Sequence, residues 1–250
     1  MKFISALFLS LVMTVYANAQ DLVKIQKVSE DLQNCSVIIE GTKSRGSGII
    51  VKRGDDFFVI SNWHVVAKNK ITKEETFVGG VKKTTIHYDP IKVAQITIKE
   101  GRTIGKLESE CDLITYSDNV TGNDLIILRV KNRDIFNLKN NASFYVGDPI
   151  PFVGMPIYHV GSFLGEDGYN SMSSGIISQL GRIIDGKIFD QVSTTNFPGS
   201  SGGGVYTTDG QCIGVLTRRT GETYGYINPI REVMKWAVNN KVEWVFDSRK

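Results

Sequence analysis

Short apolar segments, each broken by a Gly, Asn or Asp turn, recur along almost the whole of this 250-residue chain. Examples are Ser36–Glu40, Ser47–Lys52, Phe57–Ser61, Val93–Lys99, Leu125–Val130, Pro149–Val153, Ile176–Leu180, Gly203–Thr207 and Cys212–Arg218. Runs of this length, rich in Val, Ile and Phe, read as strands, and their regular spacing points to all-β barrels or sandwiches. Long helices alternating with parallel strands are not found. Helical spacing is confined to two places. Leu22, Ile25, Val28 and Leu32 give Asp21–Leu32 the pattern of a short amphipathic lead-in helix. Glu232–Asn239, after Pro229, reads as a closing helix over about 229–240. There is no internal repeat and no low-complexity segment.

One loop in this β-rich chain carries chemistry. Asn196-Phe197-Pro198-Gly199-Ser200-Ser201-Gly202-Gly203-Gly204-Val205 puts Ser201 in a Gly-x-Ser-Gly-Gly turn. A serine hydroxyl is a weak nucleophile unless a base takes its proton and backbone donors receive the charge it creates. Glycines around it permit positive φ and let two N–H groups converge. The same spacing marks the nucleophile elbow of α/β-hydrolases, but that fold places its acid and then its histidine after the serine. Here His64, His87 and His159 all precede Ser201. The order Asp, His, Ser could be met by Asp55 or Asp56 before His64, but that fold needs the helices this chain lacks. The order His, Asp, Ser remains.

His64 stands in Phe57-Phe58-Val59-Ile60-Ser61-Asn62-Trp63-His64-Val65-Val66, where an apolar strand runs into a short polar turn. Asp124 opens the buried-strand run Leu125-Ile126-Ile127-Leu128. A carboxylate at such an edge is costly to desolvate unless a partner such as a histidine N–H receives it. Asp112, before Leu113-Ile114-Thr115, is the rival acid, with a shorter and more polar run behind it.

Together these segments resemble the trypsin-like serine proteases, and most closely the HtrA-type branch. The resemblance is carried by Gly46-Ser47-Gly48-Ile49-Ile50-Val51, Ser61-Asn62-Trp63-His64-Val65-Val66 and Asn123-Asp124-Leu125-Ile126-Ile127-Leu128. It continues through Val153-Gly154-Met155-Pro156 and Ser174-Gly175-Ile176-Ile177-Ser178-Gln179-Leu180-Gly181-Arg182 to the serine turn and Asp209-Gly210-Gln211-Cys212-Ile213-Gly214-Val215-Leu216-Thr217. It spans roughly residues 33–240. It implies an all-β fold of two antiparallel six-stranded barrels, one over about 35–135 and one over about 143–226, with a seam near Lys131–Ser143. The active site would lie in the cleft between them. The implied catalytic residues are His64, Asp124 and Ser201, with an oxyanion hole from the N–H groups of Gly199 and Ser201. Substrate contacts fall on Thr195, Val215, Leu216, Thr217 and Arg218. Thr195 takes the base of the primary pocket, and the Thr217 hydroxyl takes the place of one that supports the catalytic Asp. The strand from Val215 borders the substrate backbone. Arg218 and Arg219 face either substrate or solvent. No cofactor or metal is implied, and the cysteine spacing has no metal signature.

The chain departs from the pattern in three ways. The stretch from His64 to Asp124 is long, with the extra material expected within Ala67–Tyr88 and Leu107–Gly122. Ser200 stands before the nucleophile where digestive members have Asp. No C-terminal peptide-binding domain of the PDZ type is expected. A lone trypsin-like fold can also serve as an inactive binding module, and the same triad can cleave esters; retention of all three triad members favours a peptidase.

Met1-Lys2, the uncharged run Phe3–Tyr16 and Ala17-Asn18-Ala19 read as a signal peptide over 1–19. The run is shorter than the ~20 residues a membrane span requires. The mature chain would begin at Gln20, with residues 20–34 as the helical lead-in and 35–250 as the protease domain. Export to the periplasm or medium follows, with no stable membrane anchor after cleavage. The formal charge is +3, with Lys and Arg scattered, so nothing points to nucleic acid; the expected partners are protein or peptide substrates, and an oligomer is compatible with the sequence. Of the three cysteines, Cys212 reads as a core residue, and Cys35 with Cys111 is the pair to test for a disulfide.

Overall fold

The computed structural model describes residues 22–42, 44–68, 71–132, 142–147, 151–163, 168–221 and 223–247. The expected signal peptide and most of the expected seam lie outside these residues. The first described element is helix α1, residues 22–34. Its inward face is narrower than the periodicity implies. Leu32 is buried with Val28 beside it, while Leu22 and Ile25 stay exposed.

Strands β1 (Ser36–Glu40), β2 (Arg45–Arg53) and β3 (Asp56–Ser61) come next. The chain then makes a separate antiparallel hairpin of β4 (Ile71–Val78) and β5 (Val81–Tyr88), turning through Gly79 and Gly80, both at positive φ. Strands β6 (Ile91–Lys99), β7 (Arg102–Ser117) and β8 (Leu125–Val130) follow. The extra length between His64 and Asp124 thus goes into a hairpin with its own two-stranded sheet and into a long β7. Without that hairpin the order is β1-β2-β3-β8-β7-β6, closed by pairing of β1 with β6, where Ile38 faces Ala94.

The apolar runs of β2, β3 and β8 are continuous rather than alternating because both faces of these strands are covered. Ile50, Val59, Ile126 and Leu128 point into this barrel, with Val37, Ile39 and Val93. Their neighbours Ile49, Val51, Phe58, Ile60, Leu125 and Ile127 point the other way, into a core shared with the second half of the chain.

That half contains β9 (Ser143–Phe144), β10 (Pro156–Phe163), β11 (Gly168–Ile184), β12 (Lys187–Val192), β13 (Gly204–Thr207), β14 (Gln211–Thr220) and β15 (Tyr224–Pro229). Six of them form a second ring, β13-β10-β11-β12-β15-β14, which β13 closes by pairing with β14; β9 adds in parallel to β14. Helix α2 (Ile230–Asn239) then buries Ile230, Val233, Trp236 and Ala237 against this ring. Arg231 fastens it with two bonds, of 2.7 and 2.6 Å, to the buried carboxylate of Asp190 on β12. No helix among the described residues is long and apolar enough to cross a membrane.

None of the three buried cysteines forms a disulfide, and burial pushes each thiol up to about 12. Cys35 packs in the shared core with Cys212, whereas Cys111 packs in the core of the first barrel. The pair Cys35–Cys111 is therefore not joined.

A buried amide cluster ties α1 to both rings. Asn170, on β11, donates to Gln33 O at 2.8 Å and to Ile96 O, on β6, at 3.0 Å. Gln33 returns a bond to Asn170 O at 2.8 Å. Asn34 brackets Ile98 with bonds of 3.0 and 2.8 Å. Asn170 has φ 48, a left-handed conformation that Asn tolerates better than most residues. Asn170→Ala is expected to cost about 3 kcal/mol, because one buried and one half-buried carbonyl lose their donor and Ala resists that φ. Asn170→Gly should recover the backbone part only. Urea unfolding of the three proteins measures both; a loss below about 1 kcal/mol for Ala would show that the carbonyls find other donors.

Candidate active site

β3 pairs with β8, Ser61 opposite Ile126. The residues just after β3 and just before β8 therefore lie side by side, although 60 positions separate them. After β3 the chain passes Asn62 and makes a single 3-10 turn, Trp63–Val65, which presents His64. Before β8 stands Asp124, 4% exposed, with φ 56. Asp is among the few side-chain-bearing residues that occupy this region readily, and such outliers concentrate at functional sites.

The Asp124 carboxylate meets His64 at two points. Oδ1 accepts the His64 backbone N–H at 2.8 Å, and Oδ2 lies 2.6 Å from Nδ1. A buried carboxylate is tolerated when its oxygens are bonded in this way. Facing an ionised carboxylate, which only accepts, a neutral ring places its proton on Nδ1 and leaves the Nε2 lone pair free. The His64 side chain remains one-third exposed, so that lone pair can be approached from solvent. Asp112 is remote from this pairing. Its side chain is 62% exposed on β7, with Oδ1 3.6 Å from Lys131 Nζ.

The serine turn joins β12 to β13. Ser47 N–H donates to Ser201 O at 2.8 Å. Gly46 is wedged between that carbonyl and Val65, the neighbour of His64; a Cβ there would lie 3.0 Å from the first and 2.6 Å from the second. Gly202 has φ 88, and a Cβ on it would come within 2.1 Å of both Ser47 O and Ser61 Oγ. The turn thus sits on the strands that lead into His64, and only glycine permits that approach. Ser200 is buried and donates its hydroxyl to Phe197 O at 2.7 Å, whereas Ser201 is partly exposed. Gly199, at φ 99, accepts from Ser47 Oγ at 2.7 Å. The N–H groups of Gly199 and Ser201 donate to none of the described residues. Nor does a hydrogen bond join the Ser201 hydroxyl to His64; such contacts are often long in unliganded sites.

The remaining expected site residues are placed unevenly. Val215 and Leu216 are buried on β14, and Leu216 uses both backbone groups on the serine turn, bonding Gly202 N at 2.8 Å and Gly203 O at 2.9 Å. Pairing of β14 with β13 ends at Val215, while Arg218 and Arg219 continue to pair with β15. Arg218 reaches Asp185 at 2.9 Å and lies over the Phe189 ring at 5.2 Å. Thr195 is exposed, between the buried Thr194 and Asn196. Asn196, which sequence reasoning missed, is the residue that meets β15 there; a Cβ on Gly225 would lie 2.7 Å from its Nδ2.

Thr217 is buried, and its hydroxyl donates to Val215 O at 3.1 Å instead of to the Asp124 carboxylate. It accepts from Asn62 Nδ2 at 3.0 Å and from Asn228 Nδ2 at 2.9 Å. Neither asparagine was singled out in the sequence, because a polar residue at a strand end reads as a turn. Among the described residues no group of three His, Cys, Asp or Glu could hold a metal ion.

The other two histidines are elsewhere. His87 lies on β5 opposite Thr72. His159 is fully buried on β10, stacked on Phe163 at 5.8 Å, with no partner for either ring nitrogen. Burial holds its pKa down to about 4. Unfolded, the same group takes a proton below about 6.5. Between these values the unfolded chain holds more protons, so stability should fall as pH drops from about 6.5 to about 4, by roughly 3 kcal/mol. Denaturation curves at pH 7 and pH 4 read this directly. His159→Leu should flatten the dependence, and an unchanged slope would assign it to other groups.

A family model described as trypsin-like peptidase domain matches residues 46–215. A serine protease HtrA-like from Staphylococcus haemolyticus is 28% identical over 210 residues, covering 77% of this chain and 27% of that protein. A serine protease Do-like HtrA from Lactococcus lactis subsp. cremoris is 26% identical, covering 80% of this chain and 45% of that protein. The chain thus spans between a quarter and a half of the length of these curated relatives. The crystal structure of the serine endoprotease from Yersinia pestis superposes with a TM-score of 0.62 at 21% identity, covering 88% of this chain and 66% of that one.

Proposed function

The chain belongs to the trypsin-like peptidase family, and from that premise we propose that it is an exported serine endopeptidase acting through His64, Asp124 and Ser201. The observation that carries this reading is the two-point contact of Asp124 with His64 beside a glycine-bound, partly exposed serine. His64 Nε2 takes the proton from Ser201 as the hydroxyl attacks a peptide carbonyl. Asp124 holds the Nδ1–H tautomer and stabilises the imidazolium. The tetrahedral oxyanion is received by the N–H groups of Gly199 and Ser201, each worth about 3–4 kcal/mol of transition-state stabilisation. His64 then protonates the leaving amine. Water, activated by the same imidazole, attacks the acyl-enzyme and releases Ser201. Side chains and backbone suffice for every step.

Substrate would add as a strand along the open side of β14 beyond Val215. The uncharged Thr195 and Asn196 argue for small or medium aliphatic residues before the scissile bond, since desolvating an unpaired Lys or Arg costs several kcal/mol. An acidic preference, which would need Arg218, Arg219 or His159 in the pocket, has less support, because His159 is buried and neutral and Arg218 is paired with Asp185, which leaves it to the exposed Arg219.

The test is labelling with a fluorophosphonate, mapping of the adduct, and parallel assays on a peptide library and a simple ester. An adduct on Ser201 with aliphatic-directed peptide cleavage is expected. Ester cleavage alone would make it an esterase, and absence of labelling would leave a binding module. Export makes a separate expectation. The secreted or periplasmic protein should begin at Gln20, and recovery of intact chain from the cytoplasm would contradict it.

A further inference from the structure

We propose that Asn62 and Asn228 are positioning residues that hold the Asp124 backbone in its left-handed conformation and so aim its carboxylate at His64. The inference rests on the peptidase reading above for its kinetic consequence, but not for its geometry.

Asp124 needs to be held. Its φ of 56 lies in the left-handed region, which Asp tolerates better than most residues but which still costs energy next to extended backbone. Five backbone contacts restrain it and its neighbour, among them the bond from Asn123 N to Ser117 Oγ at 2.7 Å. Asp124 N donates to Asp118 O at 3.0 Å, and Trp63 N donates to Asp124 O at 3.3 Å. Asn62 Nδ2 donates to Asp124 O at 3.0 Å, and Asn228 Nδ2 donates to Asn123 O at 2.7 Å. The last two come from side chains that are almost wholly buried. Their orientation is forced, because both partners are carbonyl oxygens and can only accept; a flipped amide would set oxygen against oxygen.

Each amide also donates to the Thr217 hydroxyl. That oxygen accepts two N–H bonds and donates its single proton to Val215 O, which exhausts its capacity. It has no proton left for the Asp124 carboxylate. Support of the acid is therefore displaced from its oxygens to its main chain. The carboxylate keeps both oxygens for His64, one on the backbone N–H and one on Nδ1.

The arrangement also joins the two rings. Asn62 follows β3 in the first, whereas Thr217 and Asn228 belong to β14 and β15 in the second. A shift between the rings would be felt first at the Asp124 main chain.

The experiment compares wild type with Asn62→Ala, Asn228→Ala and Thr217→Val, and with Thr217→Ser as the conservative control. Proton NMR without substrate follows the His64 Nδ1–H resonance. Kinetics below the melting temperature follow kcat and KM. The two Ala variants and Thr217→Val should weaken or shift the Nδ1–H signal and reduce kcat by about 10- to 100-fold with KM little changed. Thr217→Ser should keep both as in wild type. Retention of the resonance and kcat with only a lower Tm would overturn the proposal. If an Ala variant does not fold, the Thr217→Val and Thr217→Ser pair decides by the same readouts. If wild type cleaves no peptide, the peptidase reading falls while the resonance still tests the positioning.

Discussion

Ser201→Ala is expected to lower peptide turnover by about 10⁵- to 10⁶-fold, the scale seen when the nucleophile of such a triad is removed. The fold should not suffer. The Ser201 hydroxyl bonds none of the described residues, and its main chain is held through Ser47 and Gly202. Stability should therefore stay within about 0.5 kcal/mol. Ser200→Ala gives the opposite signature. Its hydroxyl is tied to Phe197 O inside the loop, so stability should drop while labelling persists. Steady-state kinetics, fluorophosphonate labelling and thermal melts separate the two variants. Labelling that survives in Ser201→Ala would move the nucleophile elsewhere.

Asp124→Asn is expected to cost about 10⁴ in turnover by analogy with other triads. The amide would keep the shape but set an NH₂ group against one of the two His64 donors. The ring would be pushed toward the other tautomer, with its proton on Nε2, where it cannot accept from serine. Asp112→Asn should change turnover less than twofold, since that carboxylate faces solvent and Lys131. Turnover of both variants across pH 5 to 9 is the measurement. A large loss in Asp112→Asn with none in Asp124→Asn would reverse the assignment of the acid.

The contact of Asp124, rather than Asp112, with His64 was legible because the run Leu125-Ile126-Ile127-Leu128 is covered on both faces, and such strands show as unbroken apolar sequence. The glycines of the serine turn were legible for a related reason: no other residue tolerates the 2.1 Å approach at Gly202. Ring closure was not legible from periodicity. It depends on β1 meeting β6 and β13 meeting β14, which are matters of register between distant segments, and the expectation of two barrels came from the resemblance. Asn62, Asn170, Asn196 and Asn228 were invisible for one shared reason. Asn in sequence signals a turn or a wet surface, and each of these is buried by strands far away along the chain. Thr195 shows the converse. The resemblance placed it at a pocket floor; Thr195 is itself exposed, and Asn196 beside it is buried against β15.

The amide cluster around Asn170 bears on the order in which the molecule can become complete. The first ring has all its strands once Val130 has been made, but the donor for Gln33 O and Ile96 O arrives only about 40 residues later. At 5–20 residues per second that interval is roughly 2–8 s. During it, a finished first ring would carry α1 with those carbonyls still reaching for solvent. Asn170 thus works as a latch that only the later half of the chain can throw, and truncated chains ending before it should hold α1 to the closed first ring only through the bonds that Asn34 makes with Ile98 and Gln95.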